Sequence, residues 1–131
     1  MTKSEFEQIV DDFDFLDDWE DKYRYVIEEG KKMPELEDSL KVDHNKVNGC
    51  ASQVWLHFSL SDKLYFDGDS DALIVKGLIA ILRKLYNGTP IDQLNSINAW
   101  ESLKRLGLDD HLSNQRSNGV KAMVERIKSF G

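Results

Sequence analysis

The amino-acid sequence predicts an α+β fold in which a small antiparallel β-sheet packs against several helices. Three patterns support this prediction. Apolar and polar residues alternate from Val54 to Leu60, which is the period of a strand with one buried face. Residues 72–86 are apolar almost all round, which indicates a buried helix. Helically spaced apolar residues near both ends of the chain surround the strands with runs of helix, as in α+β domains.

Two helices are predicted before the strands. Ser4 and Glu7 have the spacing of a capping box, and apolar residues follow at helical intervals over residues 6–13. A second apolar stripe runs through residues 18–29, and Gly30 stands where a helix C-cap is expected. Each helix therefore presents one apolar face to the core.

The central part of the chain predicts a β-hairpin followed by the buried helix. The polar stretch up to Asn48 is weakly patterned, which favours a short helical turn and then a loop or an edge strand. The alternating strand begins at Val54, and residues 61–63 form a plausible hairpin turn. The second strand is expected to end at residues 67–69, a turn-forming Asp-Gly-Asp sequence just before the helix.

Three further helices are predicted in the C-terminal part. Thr89–Pro90 is expected to restart a helix, with a cap residue followed by proline at the first helical position. Another helix is predicted over residues 98–106 and ends at Gly107. The last helix is predicted over residues 114–130, with Ser113 as its N-cap.

Length, composition and charge restrict the class of protein. A chain of 131 residues has room for a single domain, predicted over residues 1–131. Its net charge of −7 is uneven, with 19 acidic and 8 basic residues in 1–71 but 5 and 9 in 72–131. This balance argues against nucleic acid as a partner. No apolar stretch is long enough to cross a bilayer, and no export signal is recognised, so we expect no membrane partner and a cytoplasmic location.

Cys50 is the only cysteine. One thiol cannot form an internal disulfide, and it is too little for a structural zinc site. The turn-forming pair Asn48-Gly49 precedes it and the strand follows at Val54, which predicts a loop position. Loops held by a rigid scaffold often carry reactive groups, whereas free cysteine is also common as a buried apolar residue. The local sequence leaves both interpretations open.

Two alternative sites have weaker support. Residues 67–71 resemble the start of an EF-hand loop, but Ala72 and Leu78 occupy the positions of the required glycine and glutamate. A cysteine hydrolase using Cys50 with His57 would also need an orienting group and an oxyanion hole, which the sequence does not display. A binding module with an inert cysteine is the remaining alternative.

Ordered sequence blocks from about residue 20 to the end form a recognisable set. The central block is Gly-Cys-Ala-Ser-Gln-Val-Trp-Leu at 49–56. The other blocks are Arg-Tyr-Val-Ile at 24–27 with Gly30 and Pro34-Glu35-Leu36, Asn45 and Val47, Gly-Asp-Ser-Asp-Ala at 68–72 with Ile-Val-Lys-Gly-Leu at 74–78, Leu-Gly-Leu at 106–108, His-Leu-Ser at 111–113, Arg116 and Ser-Asn-Gly at 117–119. Together these blocks resemble the SufE family of sulfur-acceptor proteins.

This resemblance implies a SufE/IscU-like fold and a sulfur relay. Cys50 would take persulfide sulfur from a cysteine desulfurase of the SufS or CsdA type, stimulate that enzyme, and pass the sulfur to the SufBCD scaffold. Pyridoxal phosphate (PLP) belongs to the partner desulfurase, so the chain would need no cofactor and no metal of its own. It would act as an accessory protein by trans-persulfuration rather than as a stand-alone enzyme, as a monomer or homodimer. In the family, the cysteine loop packs into an apolar pocket and swings out to reach the partner.

The resemblance also implies which residues surround the nucleophile. Asp71 and Arg116 match positions near the loop or on the docking surface, and we expect Asp71 to cap the buried helix and restrain the loop. Trp100-Glu101 replaces a more usual aromatic pair. Asn114 stands where a proline is common, which puts in doubt how the last helix begins and how Arg116 is presented to a partner. The residues that would shape the cysteine loop are Gly49, Ala51, Ser52 and Gln53.

Overall fold

The computed structural model describes residues 5–48 and 52–131 of the chain. Short 3-10 helices at Asp38–Leu40, Asp43–Asn45, Ile91–Ser96 and Leu108–Asp110 connect the main elements. The main elements are α1 (Glu5–Asp14), α2 (Trp19–Lys32), β1 (Val54–Leu60), β2 (Lys63–Ser70), α3 (Leu73–Tyr86), β3 (Thr89–Pro90), α4 (Ala99–Arg105) and α5 (Asn114–Lys128). The predicted α+β class is confirmed. The predicted cap of α1, Ser4, lies outside the described residues.

The sheet is antiparallel, with the strand order β1-β2-β3. The predicted hairpin is confirmed, with a register from Val54 opposite Ser70 to Leu60 opposite Leu64. The second strand does not end at residues 67–69 as predicted. The strand continues to Ser70, and Gly68 is part of it rather than of a turn. Glycine is needed there for close packing, because a Cβ atom would lie 2.8 Å from the Leu56 side chain and 2.9 Å from that of Ile79 on α3.

Helix α3 is the centre of the hydrophobic core and packs on both β2 and α2. A Cβ atom on Gly77 would lie 2.2 Å from the Val26 carbonyl oxygen of α2, so the two backbones approach at a distance that only glycine permits. The prediction that Gly30 ends α2 is wrong, since the helix continues to Lys32. Gly30 belongs to the same close contact, where its Cβ atom would lie 2.7 Å from the Gly77 amide nitrogen.

The segment after α3 also differs from its prediction. Thr89–Pro90 is not the cap and first position of a helix as predicted but forms the short edge strand β3, opposite Lys63 and Leu64. A helix does restart directly after it, as the 3-10 helix Ile91–Ser96 with Pro90 as its N-cap. Gly88 turns the chain toward the sheet with a φ of 83°, and its N–H donates to the Leu64 carbonyl at 2.8 Å. Proline is tolerated in such an edge strand because its missing N–H need not pair there.

The other two predicted C-terminal helices are confirmed as α4 and α5. The Asn98 side chain accepts a hydrogen bond from the Glu101 amide at the start of α4, and Gly107 follows that helix with a φ of 73°. The Ser113 hydroxyl accepts from the Arg116 amide at 3.2 Å at the start of α5. Helix α5 therefore begins with a normal cap although Asn114 stands where the family commonly has proline. None of the described helices is long and apolar enough to cross a bilayer.

Candidate functional site

The predicted nucleophile Cys50, with Gly49 and Ala51, lies outside the described residues, but both ends of its segment are described. The Val47 amide donates to the Val54 carbonyl at 2.9 Å, and Lys46 forms a β-bridge with Trp55. The chain that enters this segment and the chain that leaves it thus run antiparallel, side by side. We call residues 48–53 the Cys50 segment.

Two hydrogen bonds, one of them to a side chain, hold the outgoing end of the Cys50 segment. The Gln53 amide donates to the Asp71 carboxylate at 3.0 Å, and the Asp71 amide donates to the Gln53 carbonyl at 3.4 Å. This pair extends the β1–β2 hairpin by one residue on each strand. Both residues are exposed, so each hydrogen bond competes with water and contributes about 1 kcal/mol.

The contact with Gln53 also explains why one prediction about Asp71 is wrong. Asp71 does not cap α3: the N-cap residue is Ala72, and no side-chain oxygen of the cap accepts a hydrogen bond from the first turn. The Asp71 carboxylate instead accepts from the neighbouring strand, while the Ser70 hydroxyl accepts from the Ala72 amide at 3.2 Å. The expected restraint on the Cys50 segment remains a prediction, and its structural basis is this hydrogen bond.

A small cavity, which we call the Ser52 cavity, lies beside the same end of the segment. Its volume of about 20 Å³ is enough for one water-sized group. Helices α3 and α5 provide most of its walls, which are largely apolar. Its lining includes Ser52, Val75, Leu78, Arg116, Gly119 and Met123.

Arg116, a predicted site residue, is far from Ser52 in the sequence but lines the same cavity. It lies in the first turn of α5, is exposed, and lines the Ser52 cavity together with the residue that follows the undescribed loop tip. A guanidinium is always charged, so Arg116 provides a cation at this cavity. The structure thus groups Ser52 with Arg116, and Gln53 with Asp71.

A partly buried carboxylate on β2, that of Asp69, joins α3 to the segment that precedes the Cys50 segment. Asp69 lies 3.0 Å from the Lys41 ammonium and 3.6 Å from that of Lys76. Burial acts to raise the pKa of Asp69, but hydrogen bonds from Lys41 and the Ser70 amide, with the charge of Lys76, hold it below the ordinary value. Asp67 pairs with Arg83 at 3.0 Å, so Asp67 and Asp69 face basic side chains rather than each other.

None of the histidines lines the Ser52 cavity in the part of the chain that the structure describes. His57 and His44 line a separate groove with Arg126. His111 stacks on Trp19 with ring centroids 3.4 Å apart, and its Nδ1 lies 3.1 Å from the Gly107 carbonyl oxygen. The described residues also contain no cluster of three histidine, cysteine or acidic side chains that could hold a metal ion.

Comparison with known proteins agrees with this architecture in two respects. A three-stranded antiparallel sheet packed on helices defines a small α+β protein, and the solution structure of a hypothetical protein from Thermus thermophilus has the same fold. Its TM-score is 0.74 at 18% identity, covering 95% of this chain and 91% of that one. The family model of SufE, described as an Fe-S metabolism associated domain, matches residues 7–130. The chain therefore belongs to the SufE family.

Curated relatives support the same assignment. The chain is 52% identical over 127 residues to an uncharacterized SufE-like protein of Rhizobium etli, with 93% of this chain and 86% of that protein covered. It is 48% identical over 128 residues to an uncharacterized SufE-like protein of Rhizobium meliloti, with 94% and 91% covered. These matches associate the chain with iron–sulfur metabolism.

Sequence reasoning missed the residues that complete the site. Val75 and Leu78 on α3, with Gly119 and Met123 on α5, are three and four residues apart, which indicates a shared helix face. That spacing does not tell which faces of the two helices meet beside Ser52. The pairing of Lys41 with Asp69 had no local signal, because the two residues are far apart in sequence.

Proposed function

We propose that this protein is a sulfur acceptor that takes persulfide sulfur onto Cys50 from a PLP-dependent cysteine desulfurase of the SufS or CsdA type. It stimulates that enzyme and relays the sulfur to the SufBCD scaffold. Membership of the SufE family and its association with iron–sulfur metabolism support the proposal. The chemistry needs one thiol, and Cys50 is the only cysteine of the chain.

The transfer step is an exchange at sulfur. The Cys50 thiolate attacks the outer sulfur of the persulfide on the desulfurase, so that a new S–S bond forms while the donor S–S bond breaks. The donor cysteine leaves as a thiolate with the electron pair, and Cys50 becomes the persulfide. No external oxidant or reductant is consumed. The protein therefore acts as an accessory carrier without a cofactor of its own, and the PLP chemistry remains in the partner.

The observation that carries the proposal is the way the Cys50 segment is attached. Its outgoing end is held by the exposed Gln53–Asp71 contact, next to a cavity that Ser52 and Arg116 line. A sulfur carrier must shelter a persulfide from oxidants and then present it to a second protein. Exposed hydrogen bonds of about 1 kcal/mol each permit such a change at low cost.

The proposal includes the cellular setting. Persulfide exchange requires a free thiol, which the reducing cytoplasm maintains, so we place the protein there. Arg116, as an exposed cation beside the cavity, is assigned to the docking surface for the desulfurase. Asp71 is assigned to the restraint of the Cys50 segment through Gln53.

Intact mass spectrometry tests the proposal directly. The protein is incubated with a purified desulfurase and cysteine, and the mass of the chain is measured before and after reduction. We expect a gain of one or more sulfur atoms that a reductant reverses. The matched control, Cys50→Ser, keeps the size of the side chain and should gain none. Absence of sulfur gain with desulfurases of both types would contradict the proposal.

The same experiment separates the alternatives. A cysteine hydrolase would need His57, whose side chain lines a groove that does not include Ser52. We therefore expect His57→Asn to accept sulfur as the natural chain does. A non-catalytic binding module would bind the desulfurase without gaining mass. Loss of sulfur transfer in His57→Asn would instead indicate a role for that histidine in the chemistry.

A further inference from the structure

One edge of the sheet has backbone groups directed away from the rest of the sheet. On β2, the Phe66 amide donates to the Asn87 side chain at 3.0 Å and its carbonyl accepts from Arg83 at 2.9 Å. Both groups therefore point away from β1. Phe58, which is opposite Phe66, forms a non-hydrogen-bonded pair with it, so its own amide and carbonyl point to the outer edge of β1. Leu60 has the same orientation by the two-residue period.

The incoming chain covers only the start of this edge. Lys46 and Val47 pair beside the beginning of β1, but the preceding residues form the 3-10 helix Asp43–Asn45 and leave the strand. Over residues 5–48 and 52–131, the amides and carbonyls of Phe58 and Leu60 have no recorded partner on that side. Proteins usually protect such an edge, because it can pair with another chain.

A groove of about 510 Å³ lies along this open edge. Phe58 and His57, whose side chains point to opposite faces of β1, both line it, so the groove wraps around the edge of the strand. Its apolar lining includes Val42 and Leu60, which are 45% and 49% exposed, and Phe130, whose ring centroid is 4.6 Å from that of Phe58. We call it the β1-edge groove.

The charge of the groove is opposite to that of the whole chain. Arg126 gives it a positive charge, His44 and His57 add ring nitrogens, and no carboxylate lines it among the described residues, although the chain has a net charge of −7. Arg126 uses one nitrogen to donate to the Lys46 carbonyl at 3.0 Å. A guanidinium has five N–H donors in a planar fork, which suits a carboxylate. Charge complementarity therefore favours an acidic ligand.

We propose that the β1-edge groove binds an extended segment of a partner protein that alternates apolar and acidic residues. The segment adds a strand to the sheet by pairing with the backbone of Phe58 and Leu60. Its apolar side chains pack on Phe58 and Phe130, and its carboxylates face Arg126 and the histidines. This surface is separate from the Ser52 cavity, so the inference stands without the proposed sulfur transfer.

The probe is a capped six-residue peptide of alternating glutamate and valine, titrated into the protein while backbone amide NMR shifts are recorded. We expect the largest shifts at Phe58 and Leu60. Two control peptides are matched to it: one has lysine in place of glutamate, and the other has every backbone amide N-methylated. Neither should bind, because the first reverses the charge and the second removes the strand hydrogen bonds.

Variants at Leu60 test the site without disturbing the core, since this side chain is about half exposed. Leu60→Glu should weaken binding of the glutamate peptide roughly tenfold or more, whereas Leu60→Lys should retain or tighten it. Tyr65→Glu places the same charge on the neighbouring strand, at a similarly exposed position outside the groove, and should have little effect.

Several results would overturn the proposal. These are equal binding of the N-methylated peptide, equal affinity of the natural chain and Leu60→Glu, absence of shifts at Phe58 and Leu60 with peptide at millimolar concentration, or shifts confined to another surface. Analytical ultracentrifugation provides a further test. A dimer that Leu60→Glu dissociates would show that a second copy of this chain, rather than a different partner, occupies the edge.

Discussion

The α2–α3 contact and the attachment of the Cys50 segment are held by different kinds of interaction. In the first, Gly77 lies against the backbone of Val26 inside the core, at a distance that excludes any side chain. In the second, Gln53 and Asp71 exchange backbone and carboxylate hydrogen bonds on an exposed surface. The first contact has no room for a larger side chain, whereas hydrogen bonds to water can replace those of the second.

Because of this difference, the stability of the fold depends little on the hydrogen bonds at the end of the Cys50 segment. Close packing in a core resists small displacements, because each one leaves a clash or a void. Exposed hydrogen bonds with few apolar contacts open locally, far below the free energy of global unfolding. The helix packing is thus sensitive to small changes of volume, whereas the exposed Gln53–Asp71 contact can open while the rest of the fold stays intact.

The largest effect is expected at the α2–α3 contact. Gly77→Ala puts a methyl group 2.2 Å from the Val26 carbonyl oxygen, so α2 and α3 must separate, and we expect a loss of about 3 kcal/mol or more in the free energy of unfolding. Urea denaturation followed by circular dichroism measures this loss. The control Lys31→Ala lies on the exposed side of α2 and should change stability by about 0.5 kcal/mol or less. Equal stability of Gly77→Ala and the natural chain would contradict the close contact.

A smaller effect, on reactivity rather than folding, is expected at the segment. Asp71→Ala removes the acceptor for the Gln53 amide, so the Cys50 segment should open more often. We expect the alkylation rate of Cys50 to rise about threefold to tenfold, from about 1 kcal/mol of lost restraint, with little change in melting temperature. Asp71→Asn keeps an oxygen acceptor, so its alkylation rate should lie between those of the natural chain and Asp71→Ala. If both variants matched the natural chain in thiol reactivity and sulfur acceptance, the proposed restraint would be wrong.

Local patterns in the sequence predicted the helices and strands better than the contacts around the Cys50 segment. The alternation from Val54 and the apolar helix after Ala72 depend on which face of an element is buried, which a sequence displays directly. Gly30 was misinterpreted because a glycine suits both a helix cap and a close helix contact, and only the tertiary fold brings Gly77 beside it. The prediction for Thr89–Pro90 was wrong for a similar reason, because these residues pair with β2, which is distant in the sequence.

The candidate site was predictable in its residues but not in its contacts. The family resemblance identified Cys50, Asp71 and Arg116 as positions of interest. The hydrogen bond from Gln53 to Asp71 joins residues 18 positions apart and depends on the register of the hairpin, which the sequence does not specify by itself. The convergence of α3 and α5 on Ser52 likewise depends on how whole helices pack.

A third effect is expected on partner binding alone. Arg116→Ala removes an exposed cation beside the Ser52 cavity, so we expect affinity for the desulfurase to fall about threefold to thirtyfold while the melting temperature stays the same. Arg116→Lys should recover part of this loss because it keeps the charge. Isothermal titration calorimetry and thermal melts measure the two quantities. Parallel losses in affinity and melting temperature would assign Arg116 to the fold instead.

The smallest effect is expected from pH, at the partly buried Asp69, which pairs with Lys41 and Lys76. The lowered pKa of Asp69 means that its contribution to stability is complete above the ordinary carboxyl pKa of about 3.9 and is lost as pH falls through the folded-state value. Asp69→Asn should therefore be less stable than the natural chain at neutral pH, and this difference should shrink below about pH 4. Denaturation at neutral and acidic pH measures it, and a difference that grew on acidification would contradict the assignment.

The length of the Cys50 segment sets how far the Cys50 thiol can reach in the proposed sulfur transfer. Cys50 is three residues after Val47 and three before Gln53, both of which are hydrogen-bonded to the sheet. Because a chain spans at most about 3.6 Å per residue, the Cα atom of Cys50 stays within about 11 Å of both anchors while these bonds persist. In the proposed transfer, the donor sulfur can lie deeper in its own protein than this distance plus one side chain. Binding of such a donor must then break the Gln53–Asp71 contact.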